Sequence, residues 1–167
     1  MAIKGAAPDH GRVTPHLIVR NTLQAVEFYK QALGAEVLYC SPLPDGTTTH
    51  AHLKIANSVV MVTEESPEQA RTKEHLGARL ASPESLGGTS AILELYVDDV
   101  DATYKRAVDA GAIPVMPPMD TFWGDRYSWV ADPFGYLWAL STVKEVLTAE
   151  QVKERMDAMF AQMKGGH

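Results

Sequence analysis

The chain lacks several features that would point to particular classes of protein. Its single cysteine, Cys40, excludes an internal disulfide. No apolar run reaches the roughly 18 residues that a membrane-spanning helix requires, and residues 1–12 have no apolar core typical of a signal peptide. The 15 lysines and arginines are scattered singly among 21 acidic residues and form no basic stripe. We therefore predict a cytoplasmic protein that binds neither membranes nor nucleic acids.

The overall composition is that of a folded globular protein. The chain has 167 residues, of which 46% are hydrophobic and 22% are charged, so one hydrophobic core is expected. Periodicity and turn residues divide it into two similar units with a connector between them. The predicted segments are a lead at 1–12, a first unit at 13–64, a connector at 65–88, a second unit at 89–142 and a tail at 143–167, with 13–142 forming one domain overall.

The first unit has the pattern of a strand, a helix and three strands. Val13 to Val19 is an apolar run of strand length. Asn21 then precedes a helical pattern with Gln24 three residues on, a variant of the capping box, and Gly34 marks the end of the helix. Three further strands are predicted, at Glu36–Cys40, Thr47–Ile55 and Val59–Thr63.

The second unit repeats this order after a polar connector. The connector contains one possible short helix, around Pro67 to His75. A strand at Ala91–Val97 is followed by a helix that Asp99 caps and Gly111 ends. Three further strands are predicted, at Ile113–Met116, Tyr127–Ala131 and Leu137–Ser141. The two units therefore read as copies of one strand-helix-strand design.

The tail predicts one more helix. Thr148 with Gln151 three residues later forms a capping-box pattern. An apolar stripe rich in methionine follows at helical spacing, made of Val152, Met156, Met159, Phe160 and Met163. We expect this stripe to pack against the protein itself or a dimer mate, and the alternative is that it binds a partner helix.

Several motifs within the repeat resemble a known superfamily. Val97-Asp98-Asp99-Val100 precedes the second helix, and Asp132-Pro133-Phe134-Gly135 precedes the last strand. With the repeat, they resemble the vicinal oxygen chelate superfamily of glyoxalases, bleomycin-resistance proteins and extradiol dioxygenases, over about Val13 to Thr142. Three segments are similar to its PhnB-like branch, namely Thr14–Val19, Ser82–Thr89 and Phe122–Tyr127.

This resemblance implies a fold and an assembly. The fold is α+β, with two βαβββ modules in tandem whose mixed sheets form a cup, followed in this chain by the C-terminal helix. The assembly is a homodimer, in which the modules pair either within one chain or between two. The cup is where such proteins take a small-molecule ligand.

The resemblance also implies where a metal-dependent relative would hold its ion, which is on the first and last strands of each module. Carried over by spacing, those positions fall on Thr14, Met61, Ile92 and Ala139, which offer no competent set of donors to a divalent ion. A shift of two residues keeps the same strand face and brings in His16 and Glu94, with Thr63 and Ser141 as weak donors. We therefore predict no cofactor, with a divalent metal as the alternative.

Polar residues on the predicted cup strands are candidate ligand contacts. His16 and Glu94 occupy equivalent sites in the two units, where each either touches a ligand or hydrogen-bonds a neighbouring strand. His50 and His52 point to one side of their strand together with Lys54, either on a solvated rim or toward the ligand, and His50 is the more favoured of the two histidines.

Aromatic residues cluster between Phe122 and Trp138 and suit a flat ligand. Strand alternation places Trp129, Tyr127 and Asp125 on one side, and we predict that Trp138 is a core residue. Trp123 and Trp129 either contact the ligand or pack in an interface or the cup floor. Arg126 either braces the fold through Asp125 or Asp132 or binds an anionic group of the ligand.

The sequence thus favours metal-independent binding of a small, aromatic organic molecule in the cup, as in bleomycin-resistance-like sequestration. The alternative is an enzyme, a glyoxalase-like lyase or isomerase or a dioxygenase, with an atypical ligand set such as His16, His50 and Glu94. A third interpretation is an interaction module that uses the C-terminal methionine stripe.

Overall fold

The chain folds into two four-stranded sheets, each covered on one side by a helix. The computed structural model describes residues 10–11, 13–44, 48–66 and 80–164. The first half contains β1 (His16–Val19), α1 (Thr22–Leu33), β2 (Glu36–Pro42), β3 (Thr48–Ile55) and β4 (Ser58–Glu64). The second half contains α2 (Pro83–Leu86), β5 (Ile92–Tyr96), α3 (Val100–Asp109), β6 (Ile113–Asp120), β7 (Asp125–Ala131), β8 (Leu137–Val143) and α4 (Ala149–Lys164).

Both sheets have the same topology. Their strand orders are β1-β4-β3-β2 and β5-β8-β7-β6. In each sheet the first and last strands of the unit pair in parallel and the remaining neighbours are antiparallel. This arrangement confirms the predicted α+β fold of two βαβββ modules with a helix after them. No helix among the described segments is long and apolar enough to cross a membrane.

The helix termini follow the capping signals in the sequence. The Asn21 side chain accepts a hydrogen bond from the Gln24 amide at 3.0 Å, and Gly34 ends α1 in the left-handed conformation with φ 68°. Asp99 accepts from the Ala102 amide at 3.0 Å in the same way. The end of α3 differs slightly from the prediction, because Ala110 is the C-cap and Gly111 takes the bend that follows.

Prolines lie at two of the strand boundaries that differ from the prediction. β1 begins at His16 rather than at Val13, since Pro15 has no amide to donate and contributes only its carbonyl, which accepts from the Met61 amide at 2.9 Å. β6 continues to Asp120, four residues beyond the prediction, through Pro117 and Pro118. It is the outer strand of its sheet, where prolines are tolerated and register shifts are common. The short helix predicted around Pro67 to His75 lies outside the described residues.

One hydrophobic core runs through both modules. Tyr29 on α1 packs against two aromatic side chains of the second module, with ring centroids 5.9 Å from Phe134 and 5.6 Å from Trp138. α1 and α3 also lie in contact, and Arg106 on α3 donates to the Ala32 carbonyl of α1 at 3.0 Å. Trp138 is buried, as predicted.

A buried carboxylate ties the two modules together at this core. Asp132 is 2% exposed and begins the tight turn that Gly135 completes with φ 88°. Its Oδ1 atom accepts from the Phe134 and Tyr136 amides at 2.9 and 2.8 Å. Its Oδ2 atom accepts from the Tyr29 hydroxyl at 2.7 Å and the Trp138 indole at 3.0 Å. The carboxylate therefore joins the turn of one module to the helix of the other.

A tyrosine makes a second link between the modules. The Tyr136 hydroxyl accepts from the Ile18 amide at 2.7 Å and donates to the Ile18 carbonyl at 3.0 Å. β1 is an outer strand, and this hydroxyl satisfies both backbone groups of one residue on its free edge. Burial raises the pKa of the Tyr136 hydroxyl, which stays protonated and able to donate.

The C-terminal helix is attached mainly at its beginning. Thr148 and Gln151 form the predicted capping box, with contacts of 2.9 and 3.3 Å, and Arg155 forms an ion pair with Glu145 at 2.7 Å. Phe160 and Met163 are 50% and 62% exposed, so the described residues leave the outer half of the stripe largely uncovered. Its packing against a dimer mate or a partner helix stays a prediction.

Candidate functional site

Each sheet turns one face toward the helices, and among the described elements none covers the other face. Strand alternation places His16, His50 and His52 on the open face of the first sheet, where His16 pairs with Met61 and Met61 pairs with His52 across the ladder. We call this surface the histidine face. The open face of the second sheet carries Tyr127 and Trp129, and we call it the aromatic face.

The histidine face contains a continuous row of hydrogen-bonded side chains. The Thr63 hydroxyl lies 2.5 Å from His16 Nε2 and 2.7 Å from His50 Nδ1. The Nε2 atoms of His50 and His52 lie 2.8 Å apart, and His52 Nδ1 lies 3.2 Å from His10 Nε2. The row joins three strands and the segment before β1. His50 and His52 point to one side, as predicted.

The pKa values of three imidazoles in this row are lowered. Burial is the main cause for His16, His50 and His52, and the charge that a neighbouring histidine would carry is the second cause for each of them. The three side chains are therefore neutral near pH 7. Neutral imidazoles can act as hydrogen-bond donors, acceptors or proton acceptors.

This pKa shift predicts a pH dependence of stability. A depressed folded-state pKa means that the unfolded chain binds the proton more tightly, so stability is complete above the ordinary histidine pKa and falls as the pH drops below it. We expect the unfolding free energy to fall between about pH 7.5 and about pH 5, and to fall less steeply in His50→Gln. Urea denaturation at both pH values measures the unfolding free energy. If that free energy fell equally with pH in the unchanged protein and in His50→Gln, the result would contradict a contribution from His50.

The aromatic face carries a line of rings in mutual contact. Trp123 packs edge to face on Tyr127 with ring centroids 5.4 Å apart, and Tyr127 packs on Trp129 at 6.4 Å. Apolar groups around the line remain open, since Ile92, Tyr96 and Trp123 are 46%, 57% and 37% exposed. A row of aromatic side chains on an open sheet offers stacking surface to a flat molecule.

Polar groups border this aromatic line. Asp125 is buried at the start of β7 and accepts a hydrogen bond from the Ser141 hydroxyl at 2.7 Å. The carboxylate of Glu94 is the main cause that raises the pKa of Tyr96, which lies two residues further along β5 on the same face. Tyr96 was missed from the sequence, although its spacing from Glu94 places it on this face.

Glu94 also reaches a cavity at the junction of the modules. The cavity has a volume of about 310 Å³, and its lining includes Pro15, Val59, Leu95 and Trp138 as well as Glu94. This volume lies at the lower end of the range of small-molecule sites. The lining is mostly apolar, and Glu94 is the charged residue among the described residues that form it.

Arg126 is placed differently from the other predicted contacts. Its Nη2 atom donates to Asp101 on α3 at 2.8 Å, and its Nη1 atom donates to Asp120 at the end of β6 at 3.1 Å. The predicted bracing partners, Asp125 and Asp132, are therefore wrong. Asp125 points to the opposite face of β7, and the Asp132 carboxylate is engaged by Tyr29, Trp138 and two backbone amides. The structure does not bring Arg126 to the aromatic face.

Comparison with known proteins fits this geometry. The family model of the Glyoxalase/Bleomycin resistance protein/Dioxygenase superfamily matches residues 10–140, which is most of the chain. The chain belongs to this superfamily. Its two matched modules contain both open faces, and α4 lies beyond the matched segment.

Relatives within the superfamily include proteins without a described activity. The uncharacterized protein Rv0887c of Mycobacterium tuberculosis is 38% identical over 146 residues, covering 87% of this chain and 82% of that protein. TioX from Micromonospora sp. ML1 is 29% identical with a TM-score of 0.60, covering 78% and 97% of the two chains. A glyoxalase-related enzyme from Fulvimarina pelagi has the same TM-score at 18% identity, covering 88% and 99%, and supports the fold alone.

The side chains at the metal positions of the superfamily do not make a ligand set. Thr14 precedes β1 and is not on the first strand, and the ladder instead pairs His16 with Met61 and Glu94 with Ala139. In the first module the His16 imidazole then lies beside the Met61 thioether, and in the second the Glu94 carboxylate lies beside the Ala139 methyl group. One donor from each module does not make a ligand set for a hard divalent ion. Within residues 10–11, 13–44, 48–66 and 80–164, no three histidine, cysteine or acidic side chains are placed to hold a metal.

The two faces do not meet within the described part of one chain. There, no hydrogen bond, ion pair or ring contact joins His16, His50 or His52 to Glu94, Tyr127 or Trp129. His16 and Glu94, which the sequence grouped as one candidate pair, thus lie on separate sheets.

Proposed function

We propose that this protein is a metal-independent binding protein that takes a small aromatic organic molecule into its cup. It would belong to the PhnB-like branch of the superfamily and sequester its ligand in the cytoplasm, as bleomycin-resistance proteins do. The observation that carries the proposal is the line of Trp123, Tyr127 and Trp129 along an open sheet face. Stacking on such rings adds about 0.5–1.5 kcal/mol per pair beyond burial.

A homodimer completes the proposed cup. The open faces expose large apolar side chains. Tyr39, Ile92 and Tyr96 are 51%, 46% and 57% exposed, and apolar surface of this kind is typical of an interaction site. A second copy that sets its histidine face opposite the aromatic face of the first would cover both. His16 and His50 would then touch one side of the ligand, and Glu94, Trp123, Tyr127 and Trp129 the other.

A ligand screen tests this function. Thermal shift against libraries of aromatic and heteroaromatic compounds, with the protein kept in a chelator, should find ligands that raise the melting temperature. Tryptophan fluorescence should be quenched by the same compounds, since Trp123 and Trp129 lie on the site. Analytical ultracentrifugation should give a dimer. A monomer without any stabilising aromatic compound would contradict the proposal.

The competing proposal is a metal-dependent lyase, isomerase or dioxygenase. It is favoured by one observation, which is that His16 and Glu94 hold equivalent ladder positions in the two modules and would face each other in a dimer of this kind. Elemental analysis of the purified protein distinguishes the two. Stoichiometric Zn, Ni, Mn or Fe that is lost in both His16→Ala and Glu94→Ala would support the enzyme and overturn metal-independent binding.

A further inference from the structure

We propose that the cavity at the junction of the two modules is a second binding site, and that it takes a small, saturated, apolar amine. We call this space, whose lining includes Pro15, Val60, Leu93, Glu94 and Trp138, the junction cavity. None of the three rings of the aromatic line contributes to its lining. The inference therefore goes beyond the proposed function and does not depend on it, although Glu94 borders both sites.

The junction cavity lies among core residues of both modules. Ile55 and Val60 come from the first module, and Leu93, Leu95 and Trp138 come from the second. All five either belong to the hydrophobic core or pack against it. The volume of about 310 Å³ is far larger than most voids of a well-packed interior, which hold no more than a water molecule. A molecule bound there would contact both modules at once.

The inner lining suits a saturated apolar body. It is formed mainly by valine, isoleucine, leucine and proline side chains, and Trp138 is the one aromatic residue among the described residues that line it. The Trp138 indole N–H donates to Asp132 at 3.0 Å, so the indole offers the cavity its apolar ring rather than a free donor. Aliphatic groups pack against such a lining without the stacking geometry that the aromatic line requires.

The mouth of the junction cavity is polar and carries a negative charge. Asn57, Ser58 and Glu94 are exposed, whereas Ile55 and Trp138 are only 2% and 4% exposed. No lysine or arginine lies among the described residues of the lining. Glu94 forms no ion pair within residues 10–11, 13–44, 48–66 and 80–164. A cationic group of a ligand would therefore find a carboxylate at this mouth that has no ion-pair partner.

This charge selects the head group of the ligand, and the exposure of Glu94 limits how much the head group contributes. Water partly screens an ammonium that lies beside an exposed carboxylate, so the ion pair should strengthen binding about fivefold. The apolar body supplies the larger share of the affinity, because its burial removes apolar surface from water. A carboxylic acid of the same shape would be repelled by Glu94.

The test compares 2-cyclohexylethylamine with 2-cyclohexylethanol, which has the same saturated body and an uncharged head. The reporter protein carries Trp123→Phe and Trp129→Phe, which leaves Trp138 as its single tryptophan. At about pH 7, where the amine is protonated, titration with either compound should change the Trp138 fluorescence. We expect the amine to bind about fivefold more tightly than the alcohol.

Three further changes in the reporter protein assign this binding to the junction cavity. Glu94→Gln should make the two affinities equal by weakening only the amine. Ser58→Phe should weaken both compounds at least about tenfold, because Ser58 lies on the same side of β4 as Val60 and a phenyl ring there would fill the cavity. Ser58→Ala is the matched control, which removes the hydroxyl without filling the space and should leave both affinities unchanged.

The inference is overturned if the Trp138 fluorescence responds to neither compound, if both compounds bind equally to the reporter protein, or if binding survives Ser58→Phe. Dissociation of a dimer in Ser58→Phe would also contradict it, because a second copy of the chain would then cover the cavity. The proposed function is tested separately, since aromatic ligands from the thermal-shift screen should bind Ser58→Phe as tightly as the unchanged protein.

Discussion

Replacing Asp132 with asparagine is expected to destabilise the fold by about 3 kcal/mol, a large effect for a conservative substitution. The carboxylate accepts four hydrogen bonds while it is 2% exposed. Burial raises its pKa, and the hydrogen bonds from Tyr29 and Trp138 are the strongest of the opposing effects. Asparagine has the same shape as aspartate, but its side-chain NH₂ group replaces one of the two accepting oxygens and faces groups that themselves donate. The Trp138 indole and the backbone amides can only donate, so they cannot accept a hydrogen bond from it.

The matched control for this change is Tyr29→Phe. It removes one of the four donors and leaves the carboxylate in place, so we expect a loss of only about 1 kcal/mol. Urea denaturation of the three proteins measures both effects. If Asp132→Asn lay within about 0.5 kcal/mol of the unchanged protein, the carboxylate would not be the link between the modules.

Replacing Trp123 with alanine is expected to weaken binding of an aromatic ligand about 30-fold, which corresponds to about 2 kcal/mol for a tryptophan at a binding hot spot. Trp123 is 37% exposed at the end of the aromatic line and makes T-shaped ring contacts with Tyr127 and Phe122. Because it is partly open to solvent, its loss should change the free energy of unfolding far less than it changes the affinity for the ligand.

The control for this prediction is Phe160→Ala. Phe160 is 50% exposed on α4, beyond the matched modules, so its loss removes a surface aromatic group outside the proposed site. Affinities for the ligand found in the thermal-shift screen should be unchanged in this variant. A similar loss in both variants, or none in Trp123→Ala, would place the ligand away from the aromatic line.

Local signals in the sequence predicted the fold well. The helix caps at Asn21 and Asp99 and the left-handed end at Gly34 are short-range features that the residues themselves determine. Alternation along β7 and β3 correctly placed Trp129 with Tyr127 and His50 with His52, because the period of a strand needs no knowledge of its neighbours.

Contacts between distant residues could not be predicted in the same way. Thr63 joins His16 across 47 positions and Tyr29 joins Asp132 across 103 positions, and both depend on how the elements pack. The partners of Arg126 were wrong for the same reason, since Asp101 comes to it from α3. Whether the candidate side chains bind a ligand stays a prediction, because the proposed dimer that would bring the two faces together is a matter of assembly that no local pattern encodes.

The most direct measurement of the central claim is ligand affinity before and after removal of metal. A compound from the aromatic screen is titrated into protein purified normally and into protein stripped with a chelator, with the metal content of both measured. We predict equal affinities in the two preparations, each weakened by Trp123→Ala. Binding that is lost on stripping and restored by one equivalent of a divalent ion would contradict metal-independent binding.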